Sequence, residues 1–357
     1  MSEATASRVP RRAAERGPRV LVAMSGGVDS SVAAALLLDQ GYEVTGVTLK
    51  LWGGDSDSGC CSVSDVEDAR RVAAQLGIPH YVFNFADDFT RDVVDPYVAA
   101  YATGRTPNPC VECNRSIKFG RLLERASALG FDFVATGHHA RVGRASGRYR
   151  LLRGTDRAKD QSYVLYMLGQ HELARTLLPV GALTKPEVRE RAGALGLRTA
   201  TKPESMDVCF ITRGARAAFV KERAAVPAGA VVDTAGVEIG RHEGVVAFTI
   251  GQRRGIGIAV GERRYVVDVD STTATVTIGT RTDLVRHEVV LRELCFVHGR
   301  PDAAAWLSAQ SRAHGVPVAA RLVGSAVCFG GPQPRVAPGQ VVALYDGDAL
   351  VGGGIAA

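Results

Sequence analysis

A short segment near the N-terminus, Ser25-Gly26-Gly27-Val28-Asp29-Ser30, has the composition of an anion-binding loop. It follows a predicted strand and opens a predicted helix, so its glycines let backbone N–H groups approach an anion at the positive helix end. Asp29 is suited to help hold Mg²⁺ on a pyrophosphate. The Gly-Lys-Ser/Thr ending of a general P-loop is absent, so transfer of a γ-phosphate is not implied. An ordinary glycine-rich turn is the alternative, but strand, helix and hydroxyls together favour an anion cradle.

Cysteines form the second group of residues suited to chemistry, at Cys60, Cys61, Cys110, Cys113, Cys209, Cys295 and Cys328. An odd number without a secretory signal disfavours a disulfide framework and leaves reactive or metal-binding thiols. Cys60 and Cys61 precede a capped helix and are interpreted as a local feature, with a redox role as the alternative. Cys295 and Cys328 lie in apolar, strand-like runs typical of a core.

The other three cysteines are the candidates for chemistry. Cys110 and Cys113 are predicted to lie in a loop just before a helix that begins near Ile117. The N-terminus of that helix and Arg115 favour a thiolate there. Cys209 lies at a predicted domain junction, where substrate clefts commonly form. Two separated thiols suit sulfur delivery, in which one carries a persulfide and the other attacks it as a disulfide forms.

Alternating strands and helices are predicted to position the loop and the first cysteines. A strand at residues 20–24, a helix at 30–40 and a strand at 42–49 form a βαβ unit. Capping boxes are predicted at Ser64 with Glu67 and at Thr184 with Glu187. The further elements are a strand at 80–85, a helix at 117–129 and a strand at 131–136. Residues 18–204 are therefore predicted to form a doubly wound, mostly parallel sheet with helices on both faces.

The second half of the chain changes to short β-rich runs separated by glycine. Residues 205–280 are predicted to form a small central β-rich domain, with strands at 248–250, 265–269 and 275–278. Residues 281–357 are predicted to form a C-terminal β-barrel with runs at 288–297, 316–323 and 341–350. Asp346-Gly347 in the last run suits a tight hairpin turn.

Composition and charge set limits on the class of protein. With 357 residues, 46% of them hydrophobic, the chain is long enough for two or three domains. The sequence has no apolar run of about 18 residues, so no membrane partner is predicted. The formal net charge of +6 is weak evidence for nucleic acid, because the first 20 residues, which include the tail at 1–17 that is predicted to be disordered, supply +3 of it. The two glutamates of this tail favour a cytoplasmic protein over a mitochondrial transit peptide.

The phosphate loop resembles the signature of the ATP pyrophosphatase family, whose members have an adenine nucleotide alpha hydrolase-like fold and adenylate a carbonyl oxygen. Other segments resemble the tRNA-specific 2-thiouridylase family and extend the likeness from residue 23 to residue 355. These segments are Thr106-Pro107-Asn108-Pro109-Cys110-Val111-Glu112-Cys113-Asn114, Ile117-Lys118-Phe119, Ala135-Thr136-Gly137-His138-His139-Ala140, Lys159-Asp160-Gln161-Ser162-Tyr163, Asp207-Val208-Cys209-Phe210-Ile211, Thr249-Ile250-Gly251-Gln252-Arg253-Arg254-Gly255, Ala337-Pro338-Gly339-Gln340 and Gly352-Gly353-Gly354-Ile355.

The resemblance implies a tRNA-uridine 2-sulfurtransferase. ATP with Mg²⁺ would adenylate the C2 oxygen of a wobble uridine, and a cysteine persulfide would deliver sulfur, giving 2-thiouridine, AMP and pyrophosphate. Cys113 matches the nucleophile and Cys209 the persulfide-bearing cysteine. The implied partners are tRNA and a sulfur donor, namely a cysteine desulfurase acting directly or through a relay protein.

The resemblance also assigns binding positions. Those that match ATP contacts are Ala23, Met24, Ser25, Gly26, Gly27, Val28, Asp29, Ser30, Leu49 and Gly137. Those that match contacts with tRNA or the target base are Asn108, Pro109, Cys110, His138, Lys159, Asp160, Gln161 and Gln340. The C-terminal barrel is expected to contact the tRNA by phosphate and shape.

Cys110 departs from the family pattern, in which many members carry an aspartate directly after Asn-Pro. It is either a small residue at a tolerant position or, with Cys113 and Cys209, a ligand of a [4Fe–4S] cluster with one open iron. A structural zinc would need a fourth ligand, from His138 or from Cys60 and Cys61.

Two rival functions stand beside thiolation. One is an ATP pyrophosphatase that acts on a small carboxylate, as in a synthetase, and its chemistry does not require Cys113 and Cys209 together. The other is a non-catalytic tRNA-binding or sulfur-carrier protein with a vestigial nucleotide loop. The evidence against it is that four residues are intact, namely Asp29, Ser30, Cys113 and Cys209.

Overall fold

A computed structural model describes residues 17–52, 62–203, 208–212, 214–258, 262–313 and 315–357 of the chain. Cys60, Cys61 and the predicted tail, apart from Gly17, lie outside these residues. No helix within the described ranges is long and apolar enough to cross a membrane.

Most of the described residues belong to strands or short helices. The strands are β1 (Arg19–Ala23), β2 (Glu43–Lys50), β3 (His80–Asn84), β4 (Phe133–Ala135), β5 (Ala140–Ala145), β6 (Arg148–Arg153), β7 (Thr176–Leu177), β8 (Gly229–Val232), β9 (Glu238–His242), β10 (Tyr265–Asp270), β11 (Thr275–Gly279), β12 (Val285–Phe296), β13 (Leu307–Gln310), β14 (Val318–Val323), β15 (Ala326–Pro334), β16 (Val341–Asp346) and β17 (Ala349–Ala356). The α-helices are α1 (Val28–Asp39), α2 (Val63–Gln75), α3 (Ala86–Phe89), α4 (Asp95–Ala102), α5 (Pro109–Glu112), α6 (Leu122–Ala128), α7 (Gln170–Leu173), α8 (Lys185–Ala194) and α9 (Arg216–Lys221). Stretches of π-helix, Thr90–Val94 and Cys113–Arg121, join α3 to α4 and α5 to α6.

The N-terminal unit is a five-stranded parallel sheet in the order β3-β2-β1-β4-β7. Strand β1 is apolar throughout because a central parallel strand is buried on both faces. Val20 and Val22 pack with helices α1, α2 and α8 on one face, whereas Leu21 packs with α4 and α6 on the other. The predicted doubly wound sheet is therefore confirmed.

A small four-stranded sheet in the order β10-β11-β8-β9 forms the central unit. Strands β10 and β11 agree with the two predicted strands at 265–269 and 275–278. The predicted strand at 248–250 is wrong, because this segment follows a 3₁₀ turn, Val245–Ala247, and continues as a loop. Its apolar residues nevertheless enter the core, where Phe248 packs on Val231 and Val266.

The C-terminal unit is a six-stranded barrel that runs β12-β15-β14-β13-β16-β17 and closes where β17 pairs with β12. This confirms the predicted barrel, and the hairpin turn predicted at Asp346-Gly347 joins β16 to β17. The hairpin β5-β6, which follows the last residues of β4, extends the barrel sheet through β17. A segment early in the chain thus belongs to the C-terminal sheet.

Two predicted helix starts are wrong. Helix α2 begins at Val63, since Ser62 rather than Ser64 is its N-cap and accepts a hydrogen bond from Asp65 N at 3.1 Å. The helix predicted from residue 117 begins at Pro109, because proline fits the first helical position after a capping Asn108. The capping box of α8 is confirmed.

A buried ion pair fastens the β5-β6 hairpin to the barrel. Asp160 accepts hydrogen bonds from Arg153 Nη1 at 2.9 Å and from Gly154 N and Ser162 N at 3.0 Å. The Arg153 guanidinium lies 3.5 Å from the ring centre of Tyr345 in β16, and Ser162 Oγ is 3.0 Å from the Tyr345 hydroxyl. Asp160 is only 5% exposed, so its carboxylate serves this internal network, and its predicted contact with tRNA stays a prediction.

We expect Asp160→Asn to lower the free energy of unfolding by about 3 kcal/mol, since it leaves the buried Arg153 without its charged partner. Urea denaturation followed by circular dichroism measures this change. Asp348→Asn is the matched control, because that carboxylate also pairs with arginines but is 45% exposed, and its loss should cost less than about 1 kcal/mol. Equal effects of the two substitutions would contradict the proposed anchor.

Candidate active site

The phosphate loop lies between β1 and the N-terminus of α1. Gly27 is the N-cap of this helix, so the N-cap residue itself brings no side chain to the first N–H groups. Gly26 has a φ of +72°, and a Cβ there would lie 2.3 Å from the carbonyl oxygen of Asp65, so glycine is required. Ser30 Oγ accepts from Ser25 N at 3.2 Å and donates to Gly27 O at 3.2 Å, which holds the loop in shape. This arrangement fits a phosphate group.

Two neighbouring segments of the backbone lie against the phosphate loop and the strand that leads to it. A Cβ on Gly137, just after β4, would lie 2.6 Å from Ser30 N, so Gly137 packs directly on the first turn of α1. Met24 N donates to Val47 O at 2.8 Å, and the Met24 side chain is buried. Leu49 at the end of β2 is also buried. The predicted ATP contacts of Ala23, Met24, Leu49 and Gly137 stay predictions, but all four lie at the carboxyl ends of β1, β2 and β4, where such sheets bind ligands.

Asp29 has two hydrogen-bond partners that the sequence did not predict. Lys185 Nζ donates to both carboxylate oxygens at 2.7 Å, and His139 Nε2 lies 3.1 Å from Oδ1. Burial by itself would raise the pKa of Asp29, but the hydrogen bonds to His139 and Lys185 hold it below its ordinary value. Asp29 is therefore an ionised carboxylate at neutral pH.

The two adjacent histidines play different roles. His138, the predicted tRNA contact, is buried, and its Nδ1 lies 2.7 Å from Thr136 Oγ1. Burial and the nearby charge of Lys118 lower its pKa well below the ordinary value, so the ring is neutral. His139, which follows the same strand end and for which the sequence gave no specific role, is the one that contacts the loop.

Cys110 and Cys113 lie on a helix rather than in the predicted loop. Asn108 caps this helix by accepting a hydrogen bond from Cys110 N at 3.1 Å. Cys110 is exposed, whereas Cys113 is 7% exposed at the point where α5 changes to a π-helix. Such π-helical segments are frequent at functional sites.

Cys113 and Cys209 are far apart in sequence but are associated with the same apolar cluster. Cys113 belongs to this cluster, and the half-buried Cys209 packs against it. Phe210 fixes the second cysteine, because its ring lies 5.5 Å from Phe89 and 5.4 Å from Tyr97 between ring centres. The pairing of these two regions rests on packing around Phe210.

The first turn of α2 connects the phosphate loop with the segment that leads to Cys209. Lys202 Nζ donates to Asp65 Oδ1 at 2.6 Å and to Asp68 Oδ2 at 2.7 Å. The carbonyl oxygen of Asp65 is also the atom that a side chain at Gly26 would strike. The phosphate loop and Lys202 therefore contact the same residue, Asp65.

The predicted iron–sulfur ligands do not form a metal site. Among the residues that the structure describes, no three His, Cys, Asp or Glu side chains are grouped closely enough to hold a metal ion. Cys110 is exposed and Cys113 is buried, so their environments differ. The cluster alternative does not fit this arrangement. A Mg²⁺ ion bound to phosphates needs only one or two protein carboxylates, a requirement that Asp29 meets.

A cavity of about 600 Å³ lies where the three units meet. Its lining includes Thr106, Arg216, Thr249, Gln252, Arg312, Arg335 and Gln340. Gln340, a predicted tRNA contact, donates to Thr106 O at 2.6 Å and so bridges the barrel to the segment before Cys110. The arginines were missed because arginine is abundant throughout the sequence and gives no local signal.

The other predicted tRNA positions surround this region and His139. Asn108 and Pro109 are half-buried at the start of α5, and Lys159 is half-buried beside the buried Asp160. Gln161 is exposed, and its Oε1 accepts from His139 N at 2.9 Å. Their contacts with tRNA stay predictions.

The fold and the site define a nucleotide-binding α/β protein of the ATP pyrophosphatase type that carries two β domains and a cysteine pair. Family models match residues 18–213, 217–280 and 286–356, described as tRNA methyl transferase HUP domain, tRNA methyl transferase PRC-barrel domain and aminomethyltransferase beta-barrel domain. The chain is 49% identical to a tRNA-specific 2-thiouridylase MnmA of Roseiflexus sp. (strain RS-1), over 94% of this chain and 98% of that protein. It is 47% identical to the protein of the same name from Moorella thermoacetica, again over 94% and 98%. The chain belongs to the tRNA-specific 2-thiouridylase family.

Likeness to solved structures is weaker. A 4-thiouridine synthetase crystallised with RNA and ATP matches 54% of this chain and 45% of its own, with 18% identity and a TM-score of 0.38. This level of similarity bears on neither the site nor the substrate.

We expect Gly137→Ala to weaken ATP binding about tenfold or more, because the added methyl group would push Ser30 N and Asp29 out of position. Isothermal titration calorimetry measures the affinity. Gly193→Ala in α8 is the control, since nothing lies within 4 Å of the added Cβ and alanine favours a helix. Unchanged ATP affinity in a folded Gly137→Ala variant would separate this glycine from the nucleotide site.

Proposed function

We propose that this chain is an ATP-dependent tRNA-uridine 2-sulfurtransferase that acts on the wobble uridine. The observation that carries the proposal is that Cys113 lies in a core cluster of the unit that holds the phosphate loop and that Cys209 packs against the same cluster. The names of relatives that match nearly the whole chain support the same reaction.

The phosphate loop supports adenylation as the first step. Its uncapped N–H groups and the positive end of α1 bind the phosphates of ATP. Asp29 would hold Mg²⁺, which neutralises phosphate charge and polarises the bond that breaks. The C2 oxygen of a flipped-out uridine attacks the α-phosphate, pyrophosphate leaves, and the oxygen becomes part of an AMP leaving group.

Cys209 and Cys113 supply the second step. Cys209 carries the persulfide, and its terminal sulfur either attacks C2 directly or is released as hydrosulfide, which then attacks C2, when the Cys113 thiolate attacks the inner sulfur. AMP leaves as the carbon–sulfur bond forms. On the direct route the base is first joined to Cys209 through the two sulfurs, and the Cys113 thiolate then attacks the Cys209 sulfur and releases the thiouridine. Both routes leave a Cys113–Cys209 disulfide, which an external dithiol reduces. The burial of Cys113 keeps the released sulfur away from bulk water.

The exposure of the cysteines supports a separate sulfur donor. Cys209 is only half-buried, so a cysteine desulfurase or a relay protein can reach it, whereas Cys113 is almost covered. The cavity between the three units has arginine and glutamine side chains that suit a nucleotide of the anticodon loop. A cytoplasmic location is part of the same proposal.

Methyl transfer is the reaction named in the description of the family models. The two clustered cysteines favour thiolation, since transfer of sulfur needs a carrier thiol and a second thiol to release it. A synthetase that acts on a small carboxylate likewise does not need both cysteines.

We expect the purified protein to thiolate unmodified tRNA when Mg-ATP and a persulfide or sulfide source are supplied. The product binds mercury, so modified tRNA is retarded on a mercury-containing gel. Omission of ATP is the control and should abolish the retarded band. A labelled methyl group entering tRNA from a methyl donor, without retardation, would support methyl transfer instead.

Cys113→Ser and Cys209→Ser should each abolish thiolation while tRNA-dependent release of pyrophosphate continues, because both thiols act after adenylation. Cys328→Ser, which alters a half-buried barrel cysteine, should retain both activities. Thiolation by either of the first two variants at the wild-type rate would remove that cysteine from the mechanism.

Cys110→Asp separates the disulfide route from a cluster. We expect this variant to stay active under iron-free conditions, since Cys110 is exposed and no described metal-binding group includes it. Optical absorbance and iron content are measured beside thiolation. Loss of activity together with loss of a visible iron–sulfur absorption would support the cluster instead.

A further inference from the structure

Lys185 brings a buried positive charge to the phosphate loop. Its side chain is 10% exposed, and its ammonium donates to both oxygens of Asp29 at 2.7 Å. The fold fixes this position, because Lys185 is the first residue of α8 and its N–H donates to Asp156 Oδ2 at 3.0 Å. Val188 of the same helix packs in the core that contains α1. The lysine therefore lies beside the anion cradle before any nucleotide arrives.

Asp29 cannot serve Lys185 and a divalent cation equally well. Oδ1 already accepts from Lys185 and contacts His139 Nε2, and Oδ2 accepts from Lys185. A Mg²⁺ ion that approached these oxygens would meet the ammonium at close range, and like charges repel strongly in a partly buried site. One of the two cations must therefore leave the carboxylate when the other binds.

The phosphate chain of the nucleotide offers the ammonium a new partner. A lysine side chain is a point charge on a flexible stem, so it can turn from a carboxylate to a nearby phosphate without a change of the backbone. The hydrogen bond from the ammonium to phosphate is charge-assisted and replaces the interaction with Asp29 that is lost. His139 can keep Asp29 in place meanwhile, since Gln161 fixes its backbone through two hydrogen bonds of 2.9 Å.

We propose that Lys185 is a phosphate-binding residue whose ammonium is bound to Asp29 until a nucleotide arrives. Nucleotide binding transfers this ammonium from Asp29 to the phosphate chain and leaves Asp29 to the Mg²⁺ ion. This inference rests on the proposed function only in placing a nucleotide at the phosphate loop. It assigns a role in substrate binding to a residue of α8, which the loop sequence does not include.

Pyrophosphate in the absence of metal is the probe that tests the transfer of the Lys185 ammonium from Asp29 to a phosphate by itself. Lys185→Met should weaken its binding about tenfold, since one charge-assisted hydrogen bond is lost. Asp29→Asn should tighten its binding about tenfold, because the ammonium is released and a repelling carboxylate is removed. In a protein that already carries Lys185→Met, the added Asp29→Asn should bring at most about a third of that gain in pyrophosphate affinity, because no ammonium remains to be released.

Isothermal titration calorimetry with pyrophosphate in a chelating buffer measures all four proteins, and thermal unfolding checks that each is folded. Arg189→Met is the matched control, one turn further along α8, because its guanidinium bonds to Ala200 O and Lys202 O rather than to the loop. Its pyrophosphate affinity should equal that of the wild type. If Lys185→Met does not fold, Lys185→Gln keeps a hydrogen-bond donor on a side chain one atom shorter and removes the charge, and it should weaken binding in the same way.

Two results would overturn the inference. One is wild-type pyrophosphate affinity in folded Lys185→Met or Lys185→Gln. The other is an equal gain from Asp29→Asn with and without Lys185, which would reduce the effect to charge repulsion alone. Both leave the proposed function intact as long as the wild type thiolates tRNA. A wild type that binds neither pyrophosphate nor ATP would instead contradict the nucleotide site itself.

Discussion

The ion pair between Asp29 and Lys185 is the interaction on which the rest of the site depends. A carboxylate at the entrance of a phosphate site would repel the anion that the helix end attracts, so its charge has to be balanced. The balancing charge comes from Lys185 of α8, and His139 after β4 adds a hydrogen bond, so two parts of the chain far apart in sequence meet at the loop. The order of the strands, which places β4 next to β1, is what allows this convergence.

The first turn of α2 carries a second constraint. Its Asp65 lies so close to Gly26 that the loop cannot hold a side chain there, and its carboxylate also binds Lys202. Lys202 is therefore held by the same residue that lies against the phosphate loop.

The three units are connected more closely than their order in the sequence implies. The β5-β6 hairpin leaves the N-terminal sheet and pairs with β17, and the Arg153–Asp160 pair is buried against Tyr345 of the barrel. Gln340 reaches back from the barrel to Thr106, just before the cysteine helix. A tRNA that contacts the barrel would thus press on elements that continue directly into the active site.

Local signals were sufficient for much of this protein. The phosphate loop, the parallel strands, the capping box of α8 and the turn at Asp346-Gly347 could all be read from neighbouring residues, because each depends on backbone geometry over a few positions. The same local reasoning placed the start of the cysteine helix too late, since an Asn-Pro start was interpreted as a loop. It also predicted a strand at residues 248–250, where apolar side chains fill a core but the backbone does not pair as a strand.

The sequence alone therefore fixed which residues are chemically capable: an anion loop with Asp29, and the thiols of Cys113 and Cys209. Tertiary structure alone decided their partners. Lys185 and His139 meet Asp29, and Phe210 brings Cys209 to the core of Cys113, through contacts between residues far apart in the chain. Such contacts arise from strand order and helix packing, which no short window of sequence contains.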